Sequence, residues 1–374
     1  MKDSGSAGRN PLLGIGNTLL SWMLLFVPLC FLVHWLGFEP LLVFFIAGLA
    51  IVPLAATIAS ATENIAGTVG PALGGLLNAT FGNATEMVIA IVALSGGLVD
   101  VVKASISGTI IANLLLALGV GMLLGGLRRP EQEFRSQVAR INASSLNLAL
   151  VVLLTPAAIH YTSPGLDVLR IEHFSLVAAT LLLAFYVLSM VFSMKTHRHL
   201  YELSLDGSDA NEAGGLTALE NNLSLHKQVG KLLVASIVLV FVSEVLVDSL
   251  VAAISSLGLT QLFTGVILIP LFGGVVEYIA VITFARKNKM DLAVSVAMGS
   301  SLQIALFVAP ILVLVGQLMG QPMNLEFQPF ELLAIAIAVV ITNSISTDGR
   351  SNWLEGVLLM VTYAVIAAAF YFHP

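Results

Sequence analysis

The chain has 374 residues, of which 57% are hydrophobic and only 10% are charged, and its mean hydropathy is +0.97. A soluble domain of this size carries about 25% charged residues, so the composition excludes a water-covered globular protein and predicts a surface that mostly faces lipid. The formal net charge of −6 is small, and no basic tract suggests binding to nucleic acid. Cys30 is the single cysteine, which excludes an intrachain disulfide and a cysteine-based metal site.

Apolar runs of about 20 residues mark helices that cross the bilayer. The first run follows the polar start MKDSGSAGRN and is longer than the apolar core of a signal peptide, so we expect a retained first helix. The sequence predicts eleven spans, at 12–36, 40–62, 70–96, 101–126, 137–160, 171–194, 228–256, 260–285, 290–319, 329–347 and 352–372.

The lysines and arginines test this count. With the N-terminus in the cytoplasm, eleven spans place 14 of the 16 basic residues on the cytoplasmic side and leave only Lys103 and Arg170 on the other. The positive-inside rule predicts this asymmetry, and one miscounted helix would scramble it. We expect an integral membrane protein with its C-terminus on the side opposite the cytoplasm. The short N-terminus without a targeting segment favours a prokaryotic plasma (inner) membrane.

The longest polar stretch, residues 196–227, contains five acidic residues. Such a stretch is usually a solvated cytoplasmic linker, and an acidic regulatory element that attracts cations is the alternative. It divides the chain into an N-terminal segment with the first helix (1–39), a first group of five helices (40–195), the linker itself, and a second group of five helices (228–374).

An internal repeat relates the two groups of helices. Residues 82–112 and 273–303 align without a gap at an offset of 191. Four pairs carry the alignment: Glu86 with Glu277, Asp100 with Asp291, Gly108 with Gly299, and Thr109 with Ser300. Because each copy has an odd number of helices, the second enters the membrane from the opposite side, as in secondary transporters. The predicted fold is an all-α polytopic membrane protein with one N-terminal helix and two inverted five-helix repeats.

Glu86 and Glu277 fall near the middle of predicted spans three and eight. A charged side chain there costs about 2.5–3.5 kcal/mol on insertion scales, so such residues normally face a cavity and have a function. The alternative is a pair of protonated or hydrogen-bonded glutamates that only hold helices together. Either protons or a divalent cation neutralises two nearby carboxylates, so the two compete, and alternating exposure of the site exchanges them. We interpret this pair as the cation-binding and proton-coupling centre of a transporter.

The surroundings of both glutamates suit a hard cation. Gly82 precedes the first, and Gly273 and Gly274 precede the second; glycine permits a broken helix that offers carbonyls, or merely close helix packing. Ca²⁺ takes about 6–8 oxygen ligands, and soft metals are disfavoured without thiolates. The oxygen-bearing side chains predicted as supporting ligands, each of which could instead bond between helices, are Asn83, Thr109, Asn113, Ser300, Ser301 and Gln303. Glu63 and Glu244 are outlying acidic positions.

Other classes of function fit less well. A passive channel would show flux without saturation or proton coupling, and the inverted repeat with paired acids argues against it. The metalloprotease motif HExxH is absent and no nucleophile–base pair with a specific spacing is found, so we expect neither an enzyme nor a resident cofactor. The sequence gives no oligomeric state.

Three segments resemble the cation/proton exchanger branch of the calcium/cation antiporter superfamily: GGLLNATFGNATEMVIAIVAL, ASISGTIIANLLLALG and KNKMDLAVSVAMGSSLQIALFVAPILVLVG. The resemblance implies eleven spans and proton-driven export of Ca²⁺ from the cytosol. It also implies that Glu86 and Glu277 are the main cation ligands, with Asn83 and the other supporting residues around them.

The second repeat departs from the family pattern GNAAEH, because this chain reads GGVVEY. Gly274 replaces an asparagine amide and Tyr278 replaces a histidine, which titrates near neutral pH. Tyr278 either forms a hydrogen bond or simply packs as an aromatic residue. The departure leaves open an antiporter for Na⁺, Mn²⁺ or K⁺ with the same fold.

Overall fold

The computed structural model describes residues 20–69, 71–163, 168–197, 199–200 and 218–373. The start of the predicted first span and most of the predicted acidic linker lie outside these residues. The described helices are, in chain order, α1 (Phe26–Trp35), α2 (Pro40–Val69), α3 (Pro71–Phe81), α4 (Ala84–Ser95), α5 (Val99–Gly126), α6 (Ser136–Thr162), α7 (Val168–Val191), α8 (Ala218–Leu257), α9 (Gln261–Gly273), α10 (Val275–Arg286), α11 (Met290–Met319), α12 (Pro329–Ile345) and α13 (Trp353–Phe372).

Each predicted span coincides with one helix or with a bent pair of helices. Among the described residues, seven helices are long and apolar enough to cross a membrane, and the bent pair α9–α10 makes an eighth. The other three predicted spans correspond to α1, to α3 followed by α4, and to α12, which are shorter. The helical membrane fold is therefore confirmed, whereas the count of eleven crossings stays a prediction. Helix α8 already begins at Ala218, so the end of the predicted linker is helical.

The internal repeat is visible in the backbone. Helices α4 and α10 both have 12 residues and begin 191 positions apart. The next loop contains a left-handed residue at the same place in each copy, Gly97 with φ +77° and Asn288 with φ +60°. A left-handed residue ends a helix by turning the chain away from the helix axis. The helices that follow, α5 and α11, each contain a π-helical turn, at Ala112–Ala117 and Ile304–Val308.

Burial places α5 at the centre of the bundle. In an 18-residue apolar stretch of α5, 83% of the residues are buried. The corresponding share is 28% in each of α6, α7 and α13. The peripheral helices present leucine and valine side chains outward, as expected for a surface in contact with lipid. The polar residues of α5 therefore lie deep inside the protein.

Two groups of contacts mark the two ends of the bundle. At one end the two-residue strands β1 (Gln132–Glu133) and β2 (Arg350–Ser351) pair in antiparallel fashion. Gln132 there donates hydrogen bonds of 2.9 Å to the Ala285 carbonyl and to Asn288 Oδ1. At the other end Lys103 Nζ donates to the Glu326 carbonyl over 2.9 Å. The loops that contact one another at each end are thus ones that the predicted topology places on the same side of the membrane. Which end faces the cytoplasm remains a prediction.

Candidate cation-binding site

Two helix breaks position the paired glutamates. Helix α3 ends at Phe81 and α4 begins at Ala84, while α9 and α10 meet at Gly274 with a bend of 60°. Glu86 and Glu277 are each the third residue of the helix that follows the break. Anions are favoured in the first turn of a helix, where backbone N–H groups are unpaired. The glycines before each glutamate therefore lie at helix breaks, and whether their carbonyls bind a cation stays a prediction.

Residues of the opposite repeat lie close to the glycines at both breaks. A Cβ atom at Gly273 would lie 3.5 Å from Cγ of Glu86, and one at Gly82 would lie 3.4 Å from Oε1 of Gln303. Each break thus faces residues of the other repeat. The glutamate of the first copy lies against the backbone of the second, four residues before Glu277.

Glu86 and Glu277 line one narrow cleft, together with Thr85 and the middle of α2. Oε1 of Glu86 and Oε2 of Glu277 are buried and have no hydrogen-bond partner among the described residues. Leaving a buried polar atom unsatisfied costs about 1–3 kcal/mol, and more for a charged one. Two such oxygens in one cleft are suited to receive a cation or protons.

A chain of hydrogen bonds joins the predicted supporting residues across the two repeats. Asn113 Nδ2 donates to Ser300 Oγ over 3.1 Å, and Ser300 Oγ donates to Asn83 Oδ1 over 3.0 Å. Asn83 Nδ2 in turn donates to Oε1 of Gln303. We call this chain of four residues the cross-repeat clamp. It connects the break before α4 to α5 and α11.

Two other predicted supporting residues do not join the clamp. The hydroxyls of Thr109 and Ser301 are buried and donate to carbonyls of their own helices, Ser105 and Ala297, each over 2.9 Å. The outlying acidic residues Glu63 and Glu244 are exposed on α2 and α8, and neither lines the cleft. These four positions therefore stand apart from the cleft and the clamp.

The altered second repeat has its own local contact. The Tyr278 hydroxyl donates a 2.9 Å hydrogen bond to the carbonyl of Pro270, on the other side of the break. A Cβ atom at Gly274 would lie only 2.8 Å from that hydroxyl oxygen. Tyr278 thus forms a hydrogen bond in addition to packing, and it occupies the space next to Gly274.

Glu331, which is not among the predicted site residues, is 1% exposed in the first turn of α12. Its Oε1 accepts a hydrogen bond from the Ser107 hydroxyl over 3.1 Å and its Oε2 accepts one from the Gln328 N–H over 2.8 Å. The signal in the sequence was weaker than for the paired glutamates, because Glu331 stands at the third position of the helix, where carboxylates are favoured and where it forms a capping box.

The two repeats differ in one close helix contact. A Cβ atom at Gly108 of α5 would lie 2.1 Å from the Val266 carbonyl oxygen of α9, and one at Gly265 would lie 2.4 Å from Cβ of Ala104. The equivalent contact would bring α11 against α3. At its glycine, Gly299, a Cβ atom would meet nothing within 4 Å, and Gly74 of α3 instead faces the Ala66 carbonyl of α2. The contact is closed in one half of the protein and open in the other.

Comparisons with known proteins agree with this architecture. The family model described as sodium/calcium exchanger protein matches residues 39–195 and 227–372. A Ca²⁺/H⁺ antiporter of Aphanothece halophytica is 53% identical over 363 residues, which cover 96% of this chain and 97% of the relative. The solved structure of native YfkE has a TM-score of 0.81 at 32% identity, covering 95% of this chain and 100% of that one. A solved H⁺/Ca²⁺ exchanger, CAX, shares the fold with a TM-score of 0.70 at 15% identity, over 95% and 92% of the two chains. This chain belongs to the sodium/calcium exchanger protein family.

Proposed function

We propose that this chain is a Ca²⁺/H⁺ antiporter whose cation site is formed by Glu86 and Glu277. The observation that carries the proposal is the pair of buried carboxylate oxygens without hydrogen-bond partners in one cleft, one from each repeat. The relatives of cyanobacterial origin with this activity cover nearly the whole chain at 53% and 52% identity, which favours Ca²⁺ over Na⁺, Mn²⁺ or K⁺.

The exchange follows from electrostatics. Two carboxylates in a medium of low dielectric strongly favour neutralisation, and one divalent cation or two protons can supply it. Ca²⁺ is a hard cation that binds carboxylate and neutral oxygen ligands at about 2.3–2.6 Å. Thr85 places a neutral oxygen in the same cleft as the glutamates. Because Ca²⁺ and protons neutralise the same two groups, each must leave before the other binds.

Alternating access is supported by the unequal glycine contacts. The α5–α9 contact at Gly108 is closed, whereas Gly299 of α11 has no neighbour in the equivalent place. Inverted repeats can exchange such conformations, and the exchange exposes a central site first to one side of the membrane and then to the other. In the second conformation α11 would approach α3 and α9 would withdraw from α5.

We assign the end that carries β1 and β2 to the cytoplasm. This end includes Arg128, Arg129, Arg135 and Arg350, and the positive-inside rule then gives the predicted topology. With this orientation a proton gradient that is acidic outside drives Ca²⁺ out of the cytosol.

Transport into inside-out vesicles with an acidic interior tests the function and the site together. Ca²⁺, Mn²⁺ and Na⁺ are offered separately to the wild-type protein and to the Glu86→Gln and Glu277→Gln variants. Saturable Ca²⁺ uptake that stops when the pH gradient is removed, and that both variants lose, is the expected result. Glu39→Gln is the matched control, because Glu39 is exposed and lies outside the cleft.

Three results would contradict the proposal in different ways. Ca²⁺ flux that ignores the pH gradient would indicate a channel. Full Ca²⁺ uptake by both glutamine variants would leave the antiport intact and refute the site. Proton-coupled uptake of Mn²⁺ or Na⁺ in place of Ca²⁺ would change the substrate and keep the mechanism.

A further inference from the structure

The two helix breaks are held by different side-chain hydrogen bonds. In the first repeat the Asn83 side chain reaches across to α11 and holds Ser300 and Gln303. At an offset of 191, the equivalent positions in the second repeat are Gly274, Thr109 and Ala112. None of these three can reproduce the contact, because Gly274 has no side chain, Ala112 is apolar, and the Thr109 hydroxyl donates to its own helix. The second break therefore has no cross-repeat clamp.

Tyr278 supplies a different fastening at this break. Its hydroxyl and the Gly274 N–H both donate to the Pro270 carbonyl, each over 2.9 Å. The first bond joins a residue one turn after the break to a residue one turn before it. It therefore constrains the 60° bend between α9 and α10, and with it the direction of Glu277 in the first turn of α10. In the first repeat the equivalent residue, Met87, has no group that could do this.

The glycine and the tyrosine depend on each other. A Cβ atom at position 274 would lie 2.8 Å from the hydroxyl oxygen of Tyr278, 2.9 Å from Cζ and 3.1 Å from Cε1. Any side chain there would push the ring away from Pro270. In the first repeat Asn83 has a side chain, and the residue equivalent to Tyr278 is the flexible Met87. The two departures in the second repeat are thus one coupled change.

We propose that Tyr278 is a positioning residue of the second half-site: its hydroxyl braces the α9–α10 break and sets the location of Glu277, in place of the amide clamp that Asn83 makes in the first half. This inference rests on the proposed cation site. The Tyr278 hydroxyl does not itself line the cleft, and it strengthens the binding of Ca²⁺ by holding Glu277 in place.

The test uses the purified full chain in proteoliposomes, with initial rates of Ca²⁺ uptake measured against Ca²⁺ concentration so that KM and kcat are separated. Tyr278→Phe keeps the ring and removes only the brace. It should raise KM about tenfold, the effect of losing one well-placed buried hydrogen bond, and leave kcat within about twofold. Tyr363→Phe is the matched control, since the Tyr363 hydroxyl is buried and has no hydrogen-bond partner in the described part of the chain. It should leave both parameters within about twofold of wild type.

A second set of variants tests the coupling. Gly274→Ala should raise KM by about tenfold to a hundredfold, because overpacking typically costs about 1–3 kcal/mol. Adding Tyr278→Met should bring the double variant back to the level of Tyr278→Phe, since methionine coexists with a side chain at this place in the first repeat. Gly230→Ala, in a helix where the added Cβ meets nothing within 4 Å, should transport as wild type does.

The outcomes separate this proposal from the one on which it rests. Wild-type kinetics for Tyr278→Phe, equal losses in Tyr278→Phe and Tyr363→Phe, or a double variant no better than Gly274→Ala would each overturn the brace. Retained Ca²⁺ uptake by Glu277→Gln would overturn the site itself. Loss of uptake by Glu277→Gln together with unchanged Tyr278→Phe would refute only the brace.

Discussion

The Ser300 hydroxyl donates a 3.0 Å hydrogen bond to the side-chain oxygen of Asn83, which lies 217 positions earlier in the chain. This bond connects α11 of the second repeat to the break that carries Glu86 in the first. Both residues are buried, Asn83 at 2% exposure and Ser300 at 7%, so neither polar group has water as an alternative partner. The bond is thus the central link of the cross-repeat clamp.

We expect Asn83 and Ser300 to act as a unit in Ca²⁺ transport. Asn83→Ala and Ser300→Ala should each lower kcat/KM by about tenfold or more, and the double variant should lose much less than the product of the two. The measurement is a double-mutant cycle on Ca²⁺ uptake in proteoliposomes. Ser249→Ala combined with Asn83→Ala is the additive control, because the buried Ser249 hydroxyl bonds only carbonyls of α8. Additive effects of Asn83 and Ser300 would refute the clamp.

Acidification should weaken the binding of Ca²⁺. Protons and Ca²⁺ neutralise the same carboxylates, so Ca²⁺ displaces protons when it binds. For each proton displaced, the apparent affinity for Ca²⁺ falls by up to about tenfold when the pH is lowered by one unit. Equilibrium binding of Ca²⁺ to the purified protein, measured over a series of pH values at constant ionic strength, gives this slope. A Ca²⁺ affinity that does not change with pH would separate the cation site from the proton site.

Gly299→Ala should fold normally and fail in turnover. A Cβ atom at Gly299 would meet nothing within 4 Å in the present conformation. At the equivalent glycine, Gly108, a Cβ atom would lie only 2.1 Å from the Val266 carbonyl oxygen. If the repeats exchange conformations, the added methyl group blocks only the second one. We expect kcat to fall by about tenfold or more while the unfolding temperature stays the same or rises. Gly230→Ala serves as the control, and wild-type turnover of Gly299→Ala would argue against the exchange of contacts.

A cysteine pair should trap that second conformation. In the closed half Gly265 of α9 faces Ala104 of α5, and the equivalent pair in the open half is Gly74 and Ser295. Gly74→Cys with Ser295→Cys, in a Cys30→Ala background, should form a disulfide during turnover that stops transport until it is reduced. A disulfide needs Cβ atoms about 3.5–4.5 Å apart, so its formation reports the approach of α3 to α11. Each cysteine alone should have no such reversible effect, and the absence of a crosslink under turnover would contradict the proposed motion.

Glu331 should matter more to stability than Glu355, although both form capping boxes. Glu355 accepts a hydrogen bond from the Asn352 N–H over 3.1 Å, whereas buried Glu331 also accepts one from Ser107 on α5. We expect Glu331→Ala to reduce the free energy of unfolding by about 2–3 kcal/mol and Glu355→Ala by about 1 kcal/mol. Denaturation in detergent measures both. Equal losses would show that the bond between α12 and α5 contributes little.

The repeat and the glutamate pair could be predicted because they follow from local sequence. Glu86 and Glu277 are expensive to bury, so they stand out in an apolar chain, and identical spacing to Asp100 and Asp291 shows that the segments share a fold. The helix order follows from apolar runs for the same reason. These features can be recognised in the sequence alone, without knowing which helices are in contact.

The fastening of the two breaks could not be predicted, because it depends on contacts between distant positions. Nothing near Asn83 in the sequence indicates Gln303 or Ser300 as partners, and Tyr278 is compatible with simple packing until the position of Pro270 is known. The π-helical turns of α5 and α11 also carry no motif. Glu331 gives less signal in the sequence than the paired glutamates, because it stands at the start of its predicted span, as Glu355 also does, and not near the middle.

The unequal fastenings restrict how such a protein can be built. Two identical half-chains inserted in opposite directions would have the same residue at both breaks, so both would carry an asparagine and a methionine, or both a glycine and a tyrosine. One amide and one phenol, at Asn83 and Tyr278, require two halves that differ in sequence. The halves of this chain are therefore not interchangeable. A chimera with two copies of the second half would keep the tyrosine bond and lose the clamp, and one with two copies of the first half would lose both, because Ser300 and Gln303 belong to the second half.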